Sequence, residues 1–267
     1  MITGASSGIG RAAAIELAKG GAAVVPVGRD ERRTASVARK VGTEPLVADL
    51  SSLAEVRRVA ATLLERHERI DVLVNNAGLV SGRRTITADG LELTMAVNHF
   101  APFLLTNLLL DRLKPSAAAR VVTTASDAHR GGHIDVTDLN GERRWSAWSA
   151  YSSSKLANVL FTRALARRLG GTGVVANCLH PGVIRTGLAR GAPLPIRVGW
   201  RLASVFFRSP AKGARTLVYL ASAPEVGEVS GGYFADSRQA RPSAQAEDER
   251  LAEELWEASA RLTGLGA

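Results

Sequence analysis

The segment Thr3-Gly4-Ala5-Ser6-Ser7-Gly8-Ile9-Gly10 decides the fold of this chain, because its glycines lead directly into a helical pattern over Arg11–Lys19. Glycine lacks a Cβ atom, so backbone amides at the start of such a helix can approach a pyrophosphate closely. The spacing therefore predicts a dinucleotide-binding turn formed by Gly4, Ser6, Ser7, Gly8, Ile9 and Gly10. A plain structural turn is the alternative for such a segment taken alone, and its context decides between the two.

Short β-branched segments alternate with longer helical patterns along the 267 residues. This alternation predicts a parallel sheet with helices on both faces, the doubly wound α/β or Rossmann fold, in a single domain over residues 1–267. Buried strands are predicted at Ala22–Val27, Asp71–Asn75, Arg120–Thr124 and Gly173–Cys178. Helices are predicted at Arg11–Lys19, Leu53–His67, Gly90–Leu113, Tyr151–Leu169 and Pro210–Ala221.

The first strand is expected to be truncated, since only Met1 and Ile2 precede the glycine-rich segment. Two explanations stay open. Either the start site was placed too far downstream, or the protein tolerates a stub at the centre of its sheet.

Composition argues against several classes of protein. Cys178 is the only cysteine, which excludes an intramolecular disulfide, and no metal site is expected. The formal net charge is +9, but the arginines are dispersed, so we expect no nucleic-acid partner. No run approaches the ~20 apolar residues that span a bilayer, and no secretory leader is recognisable. A cytoplasmic protein without an integral membrane segment is expected.

Arg29 follows the second predicted strand, where a dinucleotide fold meets the adenosine ribose. An acidic residue there would accept a hydrogen bond from the 2′-hydroxyl, whereas an arginine pairs with a 2′-phosphate. The sequence therefore favours NADP(H) over NAD(H), although NAD(H) stays possible because Asp30 is adjacent. A solvated loop arginine is the alternative interpretation of Arg29.

Tyr151 and Lys155 are four residues apart, so they lie on one face of a helix. A neighbouring ammonium favours the phenolate, and we expect it to lower the pKa of Tyr151 from about 10. Such a pair also occurs by chance on helix surfaces. Its position is informative, because Ser126 lies just past the preceding strand, at the sheet edge where open α/β folds bind ligands.

Motifs after the other strands complete the pattern. The strands are counted from the truncated first one, with a third expected between Ala22–Val27 and Asp71–Asn75. Asp49-Leu50 follows that third strand, Asn75-Asn76-Ala77-Gly78 stands at the end of the fourth, Asp71–Asn75, and Pro181-Gly182-Val183-Ile184-Arg185-Thr186 follows the sixth, Gly173–Cys178. Together with Ser126 and the Tyr-x-x-x-Lys pair, they make the chain resemble the short-chain dehydrogenase/reductase family.

This resemblance implies roles for single residues. Ser126 would hydrogen-bond the substrate carbonyl, Tyr151 would act as general acid and base, and Lys155 would hold the ribose and tune Tyr151. Asn98 matches the family's fourth catalytic member, which supports a water-mediated proton relay; a capping or core asparagine is the alternative. The implied cofactor site also includes Asp49, Leu50, Asn76, Ala77, Gly78, Tyr151, Lys155, Pro181, Val183, Ile184 and Thr186.

The 25 residues between Ser126 and Tyr151 are more than the family usually has, and they contain Ala128-His129 and Leu139-Asn140-Gly141-Glu142. This pattern is similar to the retinol dehydrogenase-like branch, which implies a lipophilic alcohol, aldehyde or ketone as substrate. Residues 187–210 are predicted to form a substrate-loop flap. A helix buried against the core or a partner subunit, or peripheral membrane contact, are alternatives for this segment.

The resemblance leaves other possibilities open. The protein could be a homodimer or homotetramer. A non-catalytic NADP(H)-binding regulator, or an epimerase or dehydratase with bound cofactor, are the alternative functions. Trp145 and Trp148 could line the substrate entrance or pack the insertion, and His99 and His129 are interpreted as pocket-wall or hydrogen-bonded core residues.

Overall fold

Eight strands form one sheet in the order β3-β2-β1-β4-β5-β6-β7-β8. This is seen in a computed structural model that describes residues 1–116, 118–182 and 209–266. All neighbouring strands are parallel except the edge pair of β7 and β8. The strands are β1 (Ile2–Thr3), β2 (Pro26–Gly28), β3 (Leu46–Val47), β4 (Val72–Asn75), β5 (Arg120–Thr124), β6 (Val175–His180), β7 (Tyr233–Ala235) and β8 (Arg238–Ala240).

Helices cover both faces of the sheet. On one face α1 packs against α2 and α6, and Ala13, Ala14 and Leu217 are buried there. On the other face α3, α4 and α5 enclose a core that includes Leu63, Leu109 and Phe161, and α7 packs on α5. The helices are α1 (Gly8–Lys19), α2 (Glu31–Val41), α3 (Leu53–Arg66), α4 (Leu93–Leu113), α5 (Ala147–Arg168), α6 (Pro210–Ser222) and α7 (Glu249–Thr263). The predicted single-domain Rossmann fold is confirmed.

The first strand is as short as expected, yet it pairs on both sides. Ile2 lies opposite Pro26 of β2 and Val74 of β4, and the Val74 amide donates to the Met1 carbonyl at 3.0 Å. The prediction for Ala22–Val27 was too long at its start, because β1 offers only two residues for pairing. Its neighbour β2 is accordingly limited to Pro26–Gly28.

Three other predicted boundaries shift for local reasons. The strand predicted at Gly173–Cys178 starts at Val175, after Gly173 with φ +78°, and runs on to His180 opposite Ala235. The helix predicted from Gly90 starts at Leu93, because Gly90 has φ +75° and the Glu92 side chain accepts from the Met95 amide. The helix predicted from Tyr151 starts one turn earlier, at Ala147, where Ser146 and Ser149 form a capping box.

Helix α4 contains a π-helical turn at Ala96–Phe100, which the sequence did not predict. The helix is also long and apolar enough, by length and composition, to cross a membrane, which corrects the expectation that no such run exists. However, 78 % of its most apolar 18-residue window is buried inside the protein, as in a core helix.

The predicted flap at residues 187–210 lies outside the described residues except for Ser209 and Pro210. The predicted cofactor contacts Val183, Ile184 and Thr186 lie outside them as well.

Candidate active site

Most of the predicted site residues meet at one edge of the sheet, where the parallel strands end. The glycine-rich turn follows β1, Asn76, Ala77 and Gly78 follow β4, Ser126 follows β5, and Pro181 follows β6. Tyr151 and Lys155 lie on α5, and Asn98 lies in the π turn of α4. The remaining described residues, Arg29, Asp49 and Leu50, lie at the ends of β2 and β3.

The glycine-rich turn leaves the start of α1 open to an anion. Gly8, Ile9 and Gly10 form the first turn of α1, Ser7 is its N-cap without a side-chain cap hydrogen bond, and no acidic residue occupies that turn. The first amides of a helix are unpaired and carry a partial positive charge. They are therefore available to a phosphate, as a dinucleotide site requires.

Close backbone approach explains the glycines at 4 and 10. Gly4 has φ +66°, and a Cβ on it would lie 2.8 Å from the Ala77 Cα. A Cβ on Gly10 would lie 2.5 Å from both the Gly4 carbonyl oxygen and the Asn76 Nδ2. The turn therefore packs directly on the segment that follows β4.

Thr3 joins the glycine-rich turn to the segment that follows β4. The sequence analysis did not predict this role. Its buried hydroxyl accepts from the backbone amides of Asn76 at 2.9 Å and Ala77 at 3.1 Å. The Asn76 side chain in turn donates a hydrogen bond from its Nδ2 to the Thr3 carbonyl at 2.9 Å. A threonine immediately before the first glycine was the available sign of this role.

Two neighbouring charged residues after β2, Arg29 and Asp30, have different contacts. The Asp30 side chain caps α2 by accepting from the Arg33 amide at 2.9 Å, and it also pairs with the Arg33 guanidinium. Arg29 is 73 % exposed at its side chain and lies 3.9 Å from an Asp49 carboxylate oxygen. Asp49 itself accepts from the Ser51 amide and hydroxyl, and Leu50 is buried in the core.

Tyr151 lies in a buried position beside Ser126. It is 9 % exposed, and Ser126 is the side chain whose hydrogen bonding lowers the pKa of its phenol. Burial raises the pKa of Tyr151, and the Ser126 hydrogen bond lowers it by less. The predicted lowering of the pKa of Tyr151 was therefore wrong, since burial outweighs the other influences.

Lys155 is an ammonium held inside the protein. It is 3 % exposed, its Nζ donates to the Thr124 carbonyl at 2.9 Å, and it lies 5.8 Å from the centroid of the Tyr151 ring. Burial lowers the pKa of Lys155 to about 8. Such a charge gains from an anionic or hydroxyl-bearing ligand in the cleft.

Asn98 links the segment that follows β4 to helix α5 by side-chain hydrogen bonds. Its Oδ1 accepts from the Leu79 amide at 2.8 Å, and its Nδ2 donates to the Leu79 carbonyl at 3.0 Å and to the Ser154 hydroxyl at 2.9 Å. A Cβ on Gly78 would meet the Asn98 Oδ1 at 3.3 Å and the Lys155 Nζ at 3.4 Å. Asn98 and Lys155 therefore converge at Gly78, and the proton relay stays a prediction.

The structure distinguishes the two tryptophans near the site. Trp145 donates from Nε1 to Glu92 at 3.3 Å and packs the insertion. Trp148 is 62 % exposed, and its ring centroid lies 6.1 Å from that of Tyr151. Trp148 is thus an apolar surface beside the candidate acid.

No group of three or more His, Cys, Asp or Glu side chains able to hold a metal ion occurs in residues 1–116, 118–182 and 209–266.

Comparison with known proteins agrees with this geometry. A family model described as short chain dehydrogenase matches residues 1–194. Human retinol dehydrogenase 13 is 44 % identical over 280 residues, which cover 100 % of this chain and 85 % of the human protein. A Streptomyces sp. (strain C5) protein provisionally named daunorubicin C-13 ketoreductase is 46 % identical over 271 residues, covering 99 % of this chain and 92 % of the relative.

Solved structures show the same likeness. An uncharacterised protein of Mycobacterium paratuberculosis has a TM-score of 0.80 at 37 % identity, with 98 % of this chain and 92 % of that one covered. A provisionally described short chain dehydrogenase of Escherichia coli CFT073, complexed with NADPH, has a TM-score of 0.71 at 26 % identity, with 89 % and 95 % covered.

Proposed function

The chain belongs to the short-chain dehydrogenase/reductase family, in its retinol dehydrogenase-like part, and is an NAD(P)-dependent oxidoreductase acting on CH–OH groups; from this premise we propose that it uses NADP(H) to interconvert a lipophilic alcohol with its aldehyde or ketone. Tyr151 serves as the general acid and base. Carbonyl reduction is the proposed direction.

One observation carries this proposal: a buried phenol, the Ser126 side chain beside it, and a buried ammonium one helical turn away lie together where β5 ends. The phenol keeps its proton near neutral pH, since burial raises the pKa of Tyr151. A protonated group of this kind suits the donor role in carbonyl reduction.

The hydrogen-bond direction at Ser126 supports its role. Its Oγ accepts from the Ala128 amide at 3.2 Å, so the hydroxyl proton is free to point at Tyr151 or at a substrate oxygen. With Ser126 and Tyr151 both donating, negative charge that develops on a carbonyl oxygen is stabilised from two sides.

The described residues fit a nicotinamide dinucleotide. The open N-terminus of α1 and the close approach at Gly10 would hold the pyrophosphate, and Lys155 would bond the ribose hydroxyls. When bound, the cofactor supplies a hydride to the carbonyl carbon.

NADP(H) is preferred in this proposal because Asp30 is engaged in capping α2, while the Arg29 guanidinium is exposed at the expected ribose position. The E. coli structural relative bound to NADPH supports the same choice.

Arg29→Ala should weaken NADPH binding by about tenfold or more, equivalent to roughly 1.4 kcal/mol, and leave NADH binding nearly unchanged. Arg32→Ala, at an exposed arginine in the first turn of α2, is the matched control. Equal losses for both cofactors would refute phosphate recognition.

A lipophilic substrate is supported by Trp148, which is exposed beside the catalytic phenol. The names of two relatives, a retinol dehydrogenase and a daunorubicin ketoreductase, refer to large apolar or polycyclic compounds.

The proposal is tested by a spectrophotometric screen of lipophilic aldehydes and ketones with NADPH. We expect net NADPH consumption with a 1:1 yield of alcohol. Cofactor binding without consumption would favour a regulator, and substrate conversion without net consumption would favour an epimerase or dehydratase.

A further inference from the structure

The turn that follows β5 holds a fully buried histidine with a defined tautomer. His129 is 0 % exposed, its Nδ1 lies 2.7 Å from the Ser126 carbonyl oxygen, and its Nε2 lies 3.0 Å from the Ser243 backbone nitrogen. A backbone amide can only donate, so Nε2 accepts. The ring proton therefore lies on Nδ1 and is donated to the Ser126 carbonyl.

Neither ring nitrogen of His129 is available for acid–base chemistry. A second proton, on Nε2, would face the Ser243 N–H, and burial lowers the pKa of His129. The Tyr233 ring packs against the imidazole with a centroid separation of 4.9 Å. The side chain is thus a neutral link from the Ser126 carbonyl to Ser243, which lies 114 residues beyond His129 in the sequence.

The peptide unit that joins Ser126 to Asp127 is held by hydrogen bonds on both of its polar groups. Its carbonyl accepts from the His129 ring and from the His129 amide at 3.1 Å. The next amide, of Asp127, donates to His180 Nδ1 at 3.0 Å. Ser126 has extended backbone angles, φ −164° and ψ 156°, and these hydrogen bonds restrain the peptide unit that follows its Cα atom.

We propose that His129 is a positioning residue for the reaction: it clamps the Ser126 carbonyl to the segment at Ser243 and thereby holds the Ser126 hydroxyl against Tyr151. This inference rests on the proposed function for its kinetic part. It also assigns the segment after β8 an indirect role in the active site, through one hydrogen bond to the imidazole.

Two substitutions separate the two contacts of the ring. In His129→Asn the amide nitrogen takes the place of Nδ1 and can still donate to Ser126. In His129→Gln the amide oxygen takes the place of Nε2 and can still accept from Ser243, but the side-chain donor to the Ser126 carbonyl is lost and only the backbone amide of residue 129 remains. Both variants lose the ring contact with Tyr233. Their melting temperatures are compared as well, because asparagine is one methylene shorter than glutamine.

The kinetic test measures kcat, KM and NADPH affinity with the best carbonyl substrate. We expect His129→Asn to keep kcat within about threefold and His129→Gln to lose at least about tenfold, with similar melting temperatures and NADPH affinities. In a Ser126→Ala background, His129→Gln should cost nothing further, since the hydroxyl that it positions is absent. Equal kcat for the two variants, or an undiminished loss in the Ser126→Ala background, would overturn the proposal.

A second readout needs no turnover. In protein with 13Cζ-labelled tyrosine, the Tyr151 resonance, identified by its loss in Tyr151→Phe, reports the Ser126 hydrogen bond. We expect its titration to move to higher pH in Ser126→Ala and His129→Gln but not in His129→Asn, with circular dichroism confirming the fold. Identical titrations in both His129 variants would contradict positioning. If the variants show the expected titration shifts but the wild type reduces no carbonyl, the proposed function is refuted and the positioning role is left intact.

Discussion

Lys155→Met should make the protein more stable at neutral pH while abolishing its activity. Folding transfers the Lys155 ammonium from water to a site where it is 3 % exposed, and this burial lowers its pKa from 10.5 to about 8. A tenfold change in proton affinity corresponds to about 1.4 kcal/mol, so the buried charge costs roughly 3 kcal/mol of stability. Methionine keeps the length of the side chain without its charge.

The sign of the pH dependence follows from linkage. Between pH 8 and 10.5 the unfolded chain binds more protons at this lysine than the folded protein does, so the stability of the wild type rises with pH in that window. The cost is fully present below pH 8. The advantage of Lys155→Met should therefore be largest, up to roughly 3 kcal/mol, at pH 7 and should shrink as the pH approaches 10.

The substitution leaves the nearby backbone satisfied. The Thr124 carbonyl, which accepts from Lys155 Nζ, also accepts from the Asn158 side chain at 3.3 Å. Loss of the ammonium therefore does not leave a buried oxygen without a donor, which would otherwise offset the gain.

Urea unfolding at several pH values between 7 and 10 gives the comparison, as the difference between variant and wild type at each pH. Lys19→Met, at a side chain that is 70 % exposed, is the control and should change stability little at any pH. A difference for Lys155→Met that does not vary with pH, or a variant less stable than wild type at pH 7, would refute the reasoning.

Three further predictions concern other parts of the molecule. Gly10→Ala should weaken NADPH binding by about tenfold or more in a fluorescence titration, because the added Cβ would lie 2.5 Å from the Gly4 carbonyl oxygen. Gly131→Ala is the control and should leave NADPH binding unchanged, because a Cβ there would meet its nearest atom at 4.0 Å. Trp256→Ala should cost about 3 kcal/mol in urea unfolding, because its ring packs on Phe103 and Phe161, with centroids 4.9 and 5.8 Å away; an unchanged midpoint would contradict this. Trp148→Ala should raise KM severalfold for apolar planar carbonyls and leave kcat and the KM of small carbonyls unchanged; a uniform change would count against substrate contact.

The sequence predicts those parts of the site that depend on neighbours in the chain. The glycine-rich turn and the Tyr151–Lys155 pair each lie within one element, so their spacing reveals them. The predicted start of α5 at Tyr151 is one turn too late, because the helix begins after the Ser146–Ser149 capping box.

Features that depend on distant segments were not predictable. The tautomer of His129 is set by the backbone amide of Ser243. The hydrogen bonds of Thr3 are made with residues more than 70 positions away. The pKa of Tyr151 was predicted in the wrong direction, because spacing shows which charge is near but does not show how deeply the phenol is buried. The π turn around Asn98 likewise left no recognised pattern in the sequence.

The most direct test of the central claim is the turnover of Tyr151→Phe with NADPH and the best carbonyl substrate found in the screen. The ring and its packing remain, and only the proton donor is removed. We predict NADPH affinity within about threefold of wild type and a loss of at least a hundredfold in kcat, the lower end of what a general acid contributes. Turnover within tenfold of wild type would show that Tyr151 is not the acid and would contradict the account.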